Sequence, residues 1–488
     1  MRGSGAQRFT RRQFVRRAGI GGLGLVVAGG GTYELLRRVG VGTAGTNNTQ
    51  SFISQPELSP PAVNVLTAAN GTAPGYAFIA SSSGPGQRGP MILDANGDVV
   101  WFHPTSPQTA MDFRPAIFHG KPVLTWWETQ PGRGLGNGRH VIFDTSYQQI
   151  ASFPAGGGRP ADLHEFRITS RNTALVTALE TRRMDIHHLG GGRRGLVLGG
   201  VAQELEIPSA RVLWEWRSLD HVPVRDTYAS KIGYPWDYFH INSIDEVDDG
   251  HLLISGRNVW SVFKISRDTG KVLWRLGGKH SDFTLGKGAR FAFQHDARHH
   301  GSNFVSVFDN GGAERTQIES QSRALRLKLD FKAMHASLDQ VWTHHPPVYG
   351  RVMGNVQSLP NGNVMVGWGA DPHFTEFGAD GGVRFDATLP HGGESYRTFR
   401  SPWRGQPAER PAAAVASSQL WVSWNGATEV AAWRLLTGGS PDALSEGRTV
   451  TRQGFETALP LPNGARYAAA AALDASGAEL ARSAAVVV

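Results

Sequence analysis

The chain contains 488 residues, of which 40% are apolar and 18% are charged, and it has no cysteine. The missing cysteines exclude disulfides, thiolate metal sites, cysteine nucleophiles and lipid attachment through a cysteine. The net charge of +8 does not indicate a nucleic-acid partner, because residues 1–40 hold eight arginines against one glutamate and leave only +1 for the rest of the chain.

The N-terminal segment explains this local charge. Paired arginines in "TRRQFVRR" (10–17) precede the short, glycine-rich apolar stretch "AGIGGLGLVVAGGG" (18–31). This pattern resembles a twin-arginine export signal, and the stretch is too short to cross a bilayer core of about 30 Å. We therefore expect residues 1–45 to be an export signal and tether read by the twin-arginine translocation machinery. The folded body is expected outside the cytoplasm: secreted, in the cell envelope or in the periplasm. A basic tail beside a short buried helix is the alternative, and cleavage or retention of the signal stays open.

A turn followed by a strand that ends on an aromatic residue recurs along the next part of the chain. Copies include "DANGDVVWF" (94–102), "DTGKVLWRL" (268–276) and "ADGGVRF" (379–385). The key aromatic residues are Trp101, Phe153, Trp214, Trp274, Trp342 and Phe385. Their spacing is typical of one four-stranded propeller blade with its loops.

Upstream of these aromatic residues, hairpin patterns such as "YFHINSIDEVDDGHLLISGRN" (238–258) and "MGNVQSLPNGNVMVGWG" (353–369) recur. The segment 394–403 would pair back with the strand around 75–82 and close a ring, which removes exposed sheet edges. The sequence thus predicts an all-β fold in which residues 60–405 form a six-bladed propeller.

A proline-rich linker (402–414) ends this repeat. Residues 415–488 alternate apolar and polar positions over a short span and contain strand tryptophans Trp421 and Trp433. This predicts a small fibronectin-like β-sandwich with a packing or spacer role.

Three histidines occupy matching places at the start of separate hairpins. They are His164 in "DLHEF", His240 in "YFHIN" and His295 in "FQHDAR". If the first strand of each blade lines the axis, the three imidazoles converge on one funnel, and Asn355 and Gln357 of "MGNVQ" add amides from the next blade. Structural hydrogen bonds between strands, or three-histidine coordination of a metal, are the alternatives.

Arginines near these histidines suggest binding of an oxyanion. Arg315 follows His295 in "FDNGGAER", and Arg323 lies in "SRALRL". Guanidinium groups suit sulfate and phosphate, and a neutral imidazole is a nucleophile or base near pH 7. This combination favours transfer of an oxyanion from an aromatic ester.

At these residues the sequence resembles a divergent branch of the bacterial arylsulfotransferases that need no nucleotide sulfate donor. The stretches that carry the resemblance include "GPMILDANGDVVWF", "YFHINSIDEVDDGHLLISGRN", "TGKVLWRLGGKHSDF" and "FQHDAR". The resemblance implies a six-bladed propeller. We expect no cofactor, and we assign no residue to a metal site. The resemblance also implies ping-pong transfer of a sulfuryl group from a phenolic sulfate, through a histidine, to a phenolic acceptor.

The resemblance implies catalytic roles for His295, His240, His164 and Arg315, and we expect Asn355, Gln357, Arg323 and Arg114 to bind substrate. Where the family's nucleophile is expected, the chain has "MGNVQ", and His345 and His373 lie near but outside that position. His295 or His240 is the substitute nucleophile that we predict.

Two other functions remain open on sequence alone. "DTGKVLW" matches the tryptophan-docking motif of quinoprotein dehydrogenases, but it occurs clearly once and the chain lacks adjacent cysteines. A secreted propeller that binds a sulfated or aromatic ligand without turnover is the non-enzymatic alternative.

Overall fold

The computed structural model describes residues 48–130, 136–229, 234–301, 303–313 and 316–488. The predicted export signal (1–45) and Arg315 lie outside the described residues. In the described part of the chain, helix is limited to His187–Leu189, Ser218–His221 and Val224–Asp226, and no helix there is long and apolar enough to cross a membrane. The predicted all-β fold is confirmed.

In the described part of residues 76–388, the strands form six successive antiparallel groups, which we call the first to the sixth sheet. Their strands, in chain order, are Tyr76–Ser83, Gly89–Leu93 and Val99–Phe102 in the first sheet; Ala110–Phe118, Lys121–Thr129, Gly138–Phe143 and Gln149–Phe153 in the second; Ala161–Ile168, Thr173–Met184, Gly195–Glu206 and Val212–Arg217 in the third; Ile241–Glu246, Leu252–Gly256, Ser261–Ile265 and Val272–Gly277 in the fourth; His295–His299, Phe304–Asp309, Arg323–Asp330 and His335–Trp342 in the fifth; and Asn355–Ser358, Val364–Gly367, His373–Phe377 and Val383–Thr388 in the sixth. A single pair, Gly138↔Ala161, joins the second and third sheets.

Short strands complete this framework. Trp236–Asp237 adds to the third sheet and Thr284–Leu285 to the fifth, and Gly312–Ala313 pairs with Thr316–Gln317. The recurring aromatic residues noted in the sequence all fall on the last strand of their sheets. The sequence repeat is therefore a repeat of sheets.

Both ends of this framework pair with each other's sheets. Glu394–Ser395 and Phe399–Ser401 pair with Tyr76–Ser83 of the first sheet, as the sequence predicted. Asn64–Thr67 pairs with Val383–Thr388 of the sixth sheet. The hydrogen bonding thus ties the sixth sheet to the first.

Apolar residues from facing sheets form the core. Between the third and fourth sheets, for example, Trp216, Phe239 and Phe263 pack with Ile244 and Ile254 in one buried cluster. Burying one large apolar side chain stabilises a fold by about 1.5–3 kcal/mol, so such layers supply most of the stability.

Hydrogen bonds also connect the first strands of successive sheets. The carboxylate of Asp112 accepts from the N–H of Phe166, and that of Glu165 accepts from the N–H of Ile244. Asp296 accepts from the N–H of Val356. Further bonds join the fourth sheet to the fifth, the sixth to Thr398, and Arg397 to Asp112. The links run from the second sheet to the sixth, and residues 397–398 connect the sixth sheet back to Asp112 of the second.

Six charged side chains on or next to these first strands form one buried group, which we call the central ion cluster. Its members are Asp112, Arg114, Glu165, Asp296, Arg298 and Arg397. Glu165 alone pairs with three guanidinium groups at 2.7–2.9 Å. Burial would raise the pKa of Glu165, but the charges of the surrounding arginines hold it far below its usual range. Each buried charge is therefore compensated.

Two further sheets follow the linker. One contains Ala412–Ala416, Gln419–Ser423 and Glu456–Pro460, and the other contains Ala432–Ser440, Ala443–Thr451, Tyr467–Leu473, Glu479–Arg482 and Val486–Val487. Leu420 and Val422 of one sheet share a core with Trp433 and Leu435 of the other. The side chain of Asn425 bonds both the N–H and the carbonyl of Phe102, so these sheets are attached to the edge of the first sheet.

Candidate active site

Three histidines lie together where the third, fourth and fifth sheets meet. The ring centroids of His164 and His240 are 4.7 Å apart, and those of His240 and His295 are 6.4 Å apart. We call His164, His240 and His295 the histidine cluster. The structure brings together the three side chains that the repeat pattern selected.

A tight turn controlled by Asp237 fixes His240. The backbone of His240 has φ of +55°, in the left-handed region that most residues avoid. Its N–H donates to Oδ1 of Asp237 at 3.0 Å, and its Nδ1 lies 2.5 Å from Oδ2 of the same carboxylate. Because a carboxylate only accepts, Nδ1 carries a proton and the lone pair of the neutral ring lies on Nε2.

His164 has a similar partner. Its Nδ1 lies 2.7 Å from Oδ2 of Asp162, which also accepts a hydrogen bond from the hydroxyl of Thr177. Burial alone would raise the pKa of Asp162, but the charge and hydrogen bond of His164 lower it below its usual value. Within the described part of the chain, Nε2 of His164 and Nε2 of His240 have no hydrogen-bond partner, and both side chains keep slight exposure, 11% and 13%. In each of these histidine–aspartate pairs the carboxylate holds Nδ1, and Nε2 is left available to a ligand.

His295 is held differently, by a neutral amide. Its Nδ1 lies 2.7 Å from Oδ1 of Asn310, whose Nδ2 donates to the carbonyls of Gly350 and Met353 and so fixes the orientation of the amide. The Nδ1 atom must therefore be the donor, and Nε2 carries the lone pair. That lone pair faces only the N–H of Met353, at a long 3.3 Å.

The electrostatics keep His295 neutral. Burial, the charge of Arg257 and the neighbouring histidines together hold its pKa well below the usual value. Burial also lowers the pKa of His240, but the Asp237 carboxylate acts in the opposite direction. The same cluster thus contains one imidazole held in its neutral form and two whose charged forms have a carboxylate partner.

Arg257 is a site residue that the sequence reasoning missed. Its N–H donates to the carbonyl of His240 at 3.0 Å, and its side chain is 9% exposed. Its guanidinium lies over the ring of Phe293 at 5.1 Å and donates to the carbonyl of Arg351. A signal did exist, because a hairpin that pairs Ile241 with Gly256 places residue 257 beside residue 240. The buried positive charge suits an anion held between the histidines.

The other arginines selected from the sequence have structural partners. Arg323 pairs with Asp309 at 2.6 Å and with Glu319 at 3.0 Å. Arg114 belongs to the central ion cluster. Both guanidinium groups thus pair with carboxylates of the protein, although Nε of Arg114 has no partner among the described residues, and the substrate-binding role of Arg114 and Arg323 stays a prediction.

Asn355 and Gln357 also bind the protein itself. The amide of Asn355 bonds the N–H and carbonyl of Thr398, and the amide of Gln357 bonds those of Arg400. Each side chain uses both its donor and its acceptor group to join the sixth sheet to the strand that closes the first. These contacts engage both amides within the protein, and the substrate-binding role of Asn355 and Gln357 stays a prediction.

Coordination of a metal by three histidines was the alternative role for the histidine cluster. Among the described residues, the group whose ligand atoms lie within metal-binding distance of one another is Asp185, His187 and His188, all exposed. No member of the histidine cluster belongs to it.

Comparison with known proteins identifies a family that this sequence matches. The sequence matches the family described as arylsulfotransferase (ASST) over residues 114–389. No curated protein matches the chain significantly. Similar solved structures include a protein of unknown function from Bacteroides caccae (12% identity, TM-score 0.41, covering 67% of this chain and 98% of that one). They also include a streptogramin B lyase (11%, 0.35, 74% and 94%) and the Dos1 propeller (11%, 0.30, 68% and 70%). These structural likenesses are weak. The family match spans more than half of the chain and contains the whole histidine cluster, and the chain therefore belongs to the arylsulfotransferase family.

Proposed function

We propose that this protein is an exported aryl sulfotransferase that moves a sulfuryl group from a phenolic sulfate ester to a phenolic acceptor through His295. The observation that carries the proposal is the histidine cluster, which combines one neutral imidazole, two histidine–aspartate pairs and a buried arginine. Family membership supports sulfuryl transfer over the quinoprotein alternative.

The fold that we propose is a closed six-bladed propeller followed by a fibronectin-like sandwich over 415–488. The six sheets, the pairing of residues 394–401 with the first sheet and the hydrogen bonds that join neighbouring first strands support closure. The central ion cluster would fill the axis, so that the histidine cluster forms the floor of a cleft rather than part of an open channel.

His295 is the proposed nucleophile because it is the histidine whose environment opposes protonation most strongly. Asn310 fixes the tautomer that leaves the Nε2 lone pair available. A sulfuryl group at Nε2 would displace the long contact from the N–H of Met353, and this N–H could then donate to a sulfuryl oxygen. A neutral nucleophile also avoids the charge repulsion that an anionic nucleophile would meet on approaching an anionic sulfate ester.

The transfer balances in two half-reactions. In the first, the ester S–O bond breaks as the N–S bond to His295 forms, and the leaving phenolate takes a proton from the charged His240–Asp237 pair. In the second, neutral His240 removes the proton of the acceptor phenol, whose oxygen attacks sulfur and releases His295. Asp237 stabilises the His240 imidazolium that is present before the first half-reaction and forms again in the second, and Arg257 compensates the charge of the sulfuryl oxygens.

The proposed place of action is outside the cytoplasm. The twin-arginine pattern in residues 10–17 supports it. Fractionation of cells that express the full chain, with and without Arg11→Lys and Arg12→Lys, tests the route. Protein that leaves the cytoplasm equally well in both cases contradicts it.

The activity is tested with the purified chain, p-nitrophenyl sulfate and a phenol acceptor. We expect release of nitrophenol and formation of the acceptor sulfate, both lost in His295→Ala and kept in His391→Ala, which changes an exposed histidine. Mass spectrometry after mixing with donor alone should locate a sulfuryl adduct on the peptide containing His295. Stoichiometric binding with no product contradicts the proposal and indicates the non-catalytic binding protein instead.

A further inference from the structure

Tyr396 presents a buried hydroxyl that the fold does not use. The residue is 1% exposed, and its hydroxyl has no hydrogen-bond partner among the described residues. Leaving a buried hydroxyl unpaired costs about 1–3 kcal/mol, so such a group is rare unless a ligand completes it. The hydroxyl of buried Tyr238 donates to a backbone carbonyl, as do those of the half-buried Tyr147 and Tyr349.

The ring of Tyr396 contacts the histidine cluster. Its centroid lies 5.9 Å from that of His164, at a steep angle, and the guanidinium of Arg397 lies over the ring at 4.9 Å. Met353, whose N–H faces His295, packs in the same apolar group as Tyr396. The ring of Tyr396 therefore lies beside His164 and packs in the same apolar group as the residue whose N–H faces His295.

The backbone holds Tyr396 in this position. Its carbonyl accepts from the N–H of Gly354 at 3.0 Å, and the next residue, Arg397, is anchored in the central ion cluster. The ring is thus fixed from both sides without any contribution from the hydroxyl. Burial raises the pKa of Tyr396 well above its usual value, so the group stays a hydrogen-bond donor at any working pH.

We propose that the Tyr396 hydroxyl is a further catalytic group, which donates a hydrogen bond to the bridging ester oxygen of the bound aryl sulfate. This inference rests on the proposed function. As the S–O bond breaks, negative charge builds on that oxygen, and a donor preorganised in a dry site stabilises it more than it stabilises the ground state. No proton passes from Tyr396, since the phenolate receives its proton from His240.

The substitution Tyr396→Phe removes only the oxygen. We expect the variant to be at least as stable as the wild type in urea unfolding, because an unpaired buried hydroxyl is lost. We expect kcat/KM to fall about 10-fold for p-nitrophenyl sulfate and about 100-fold for phenyl sulfate, because a hydrogen bond to a charged oxygen strengthens as that oxygen becomes more basic. The dependence of rate on the pKa of the leaving phenol should steepen accordingly.

Tyr147→Phe is the matched control. Its hydroxyl bonds the carbonyl of Gly426 and the indole of Trp403, away from the histidine cluster. It should lose stability and keep the wild-type dependence on the leaving group. An equal loss for both substrates in Tyr396→Phe indicates a merely structural role and overturns the inference, as does an unchanged rate.

Binding of phenyl sulfate separates this inference from the proposed function. If the wild type binds phenyl sulfate without turnover, the proposed function fails, and weaker binding by Tyr396→Phe still supports the contact. Equal binding by the two proteins overturns the contact. If the wild type neither binds nor turns over aryl sulfates, both ideas fail together.

Discussion

The central ion cluster and the histidine cluster lie side by side, and they differ in whether their polar groups have partners within the protein. In the ion cluster, each of the three carboxylates pairs with at least two of the three arginines, although Nε of Arg114 and Nε of Arg397 make no hydrogen bond among the described residues. In the histidine cluster, two Nε2 atoms and the hydroxyl of Tyr396 have no protein partner in the described part of the chain. The first arrangement is typical of a group that holds a fold, and the second of a group that awaits a ligand.

Arg397 and Tyr396 show how close the two regions are. Consecutive in the chain, one side chain anchors the ion cluster and the other contacts His164. The difference teaches that burial alone does not separate structural from functional residues here. What separates the two regions is whether the protein supplies a partner: the carboxylates of the ion cluster bond arginines, whereas the hydroxyl of Tyr396 has no partner among the described residues.

The largest expected effect comes from breaking the ion cluster. Replacing Arg397 with Met leaves Asp112, Glu165 and Asp296 with too little positive charge, and removing one partner of a buried ionic network costs about 3–5 kcal/mol. Urea unfolding measures the loss. As a control, Arg384→Met removes a pair with Asp380 at the surface and should cost at most about 1 kcal/mol. Equal losses in the two variants would mean that the cluster does not hold the framework.

The next effect concerns the histidine–aspartate pair of His240. Asp237→Asn keeps the shape but presents an amide N–H to Nδ1 and forces the proton onto Nε2, so we expect kcat to fall about 10³-fold with little change in stability. Burial holds the pKa of His240 below its usual value and the Asp237 carboxylate opposes this, so loss of the carboxylate should lower that pKa further and move the alkaline limb of the rate profile to lower pH.

An exposed pair of similar geometry provides the control for Asp237→Asn. His187 lies 2.7 Å from Asp185 through the same ring nitrogen, at the surface. Asp185→Asn should leave rate and pH profile unchanged. A comparable loss in that variant would show that the effect does not come from the histidine cluster.

Much of the framework was predictable because its signals are local and repeated. Trp101, Trp274 and Phe385 marked the last strands of their sheets, and the turn at Asp249-Gly250 marked a hairpin. The three histidines were found because they recur at one place in that repeat. Equivalent positions in a sequence repeat occupy equivalent places in successive sheets, so their side chains lie close together when the sheets pack.

The partners of those residues were harder to predict. Asn355 and Gln357 lie on the same first strand as the pattern required, yet their amides bond Thr398 and Arg400, which are more than forty residues away. Arg114 was selected for its charge, but Asp112 and Glu165 neutralise it. Which group satisfies a polar side chain depends on long-range packing, and a local pattern does not contain it.

A smaller loss is expected at Arg257, the buried cation beside the histidine cluster. Arg257→Met should raise KM for an aryl sulfate about 10- to 100-fold, because a charge-assisted hydrogen bond contributes about 1.5–3 kcal/mol. Arg257 also lowers the pKa of His295, so its loss should move the acid limb of the rate profile to higher pH. Arg323→Met, whose partners are Asp309 and Glu319, is the control. A raised KM in the control alone contradicts the proposed binding role.

The smallest effect is expected at His344, a buried histidine beside the sixth sheet. Both of its ring nitrogens face hydrogen-bond acceptors, and both bonds form only when the ring is charged. Its Nδ1 faces the carbonyl of Pro346 at 2.7 Å and its Nε2 faces Asp386 at 3.1 Å, so both nitrogens must be donors and the ring is charged. Burial opposes this charge, but the bonds to Asp386 and Pro346 raise the pKa of His344 above its usual value. Its contribution to stability, about 1 kcal/mol for such bonds, is therefore complete below the unfolded pKa of about 6.5 and disappears as pH rises through the folded pKa. Thermal unfolding should show the wild type losing this stability at rising pH, and His344→Gln, which cannot become charged, should lack that step. If both proteins show the same step, another group causes it, and His344 is then neutral in the folded protein.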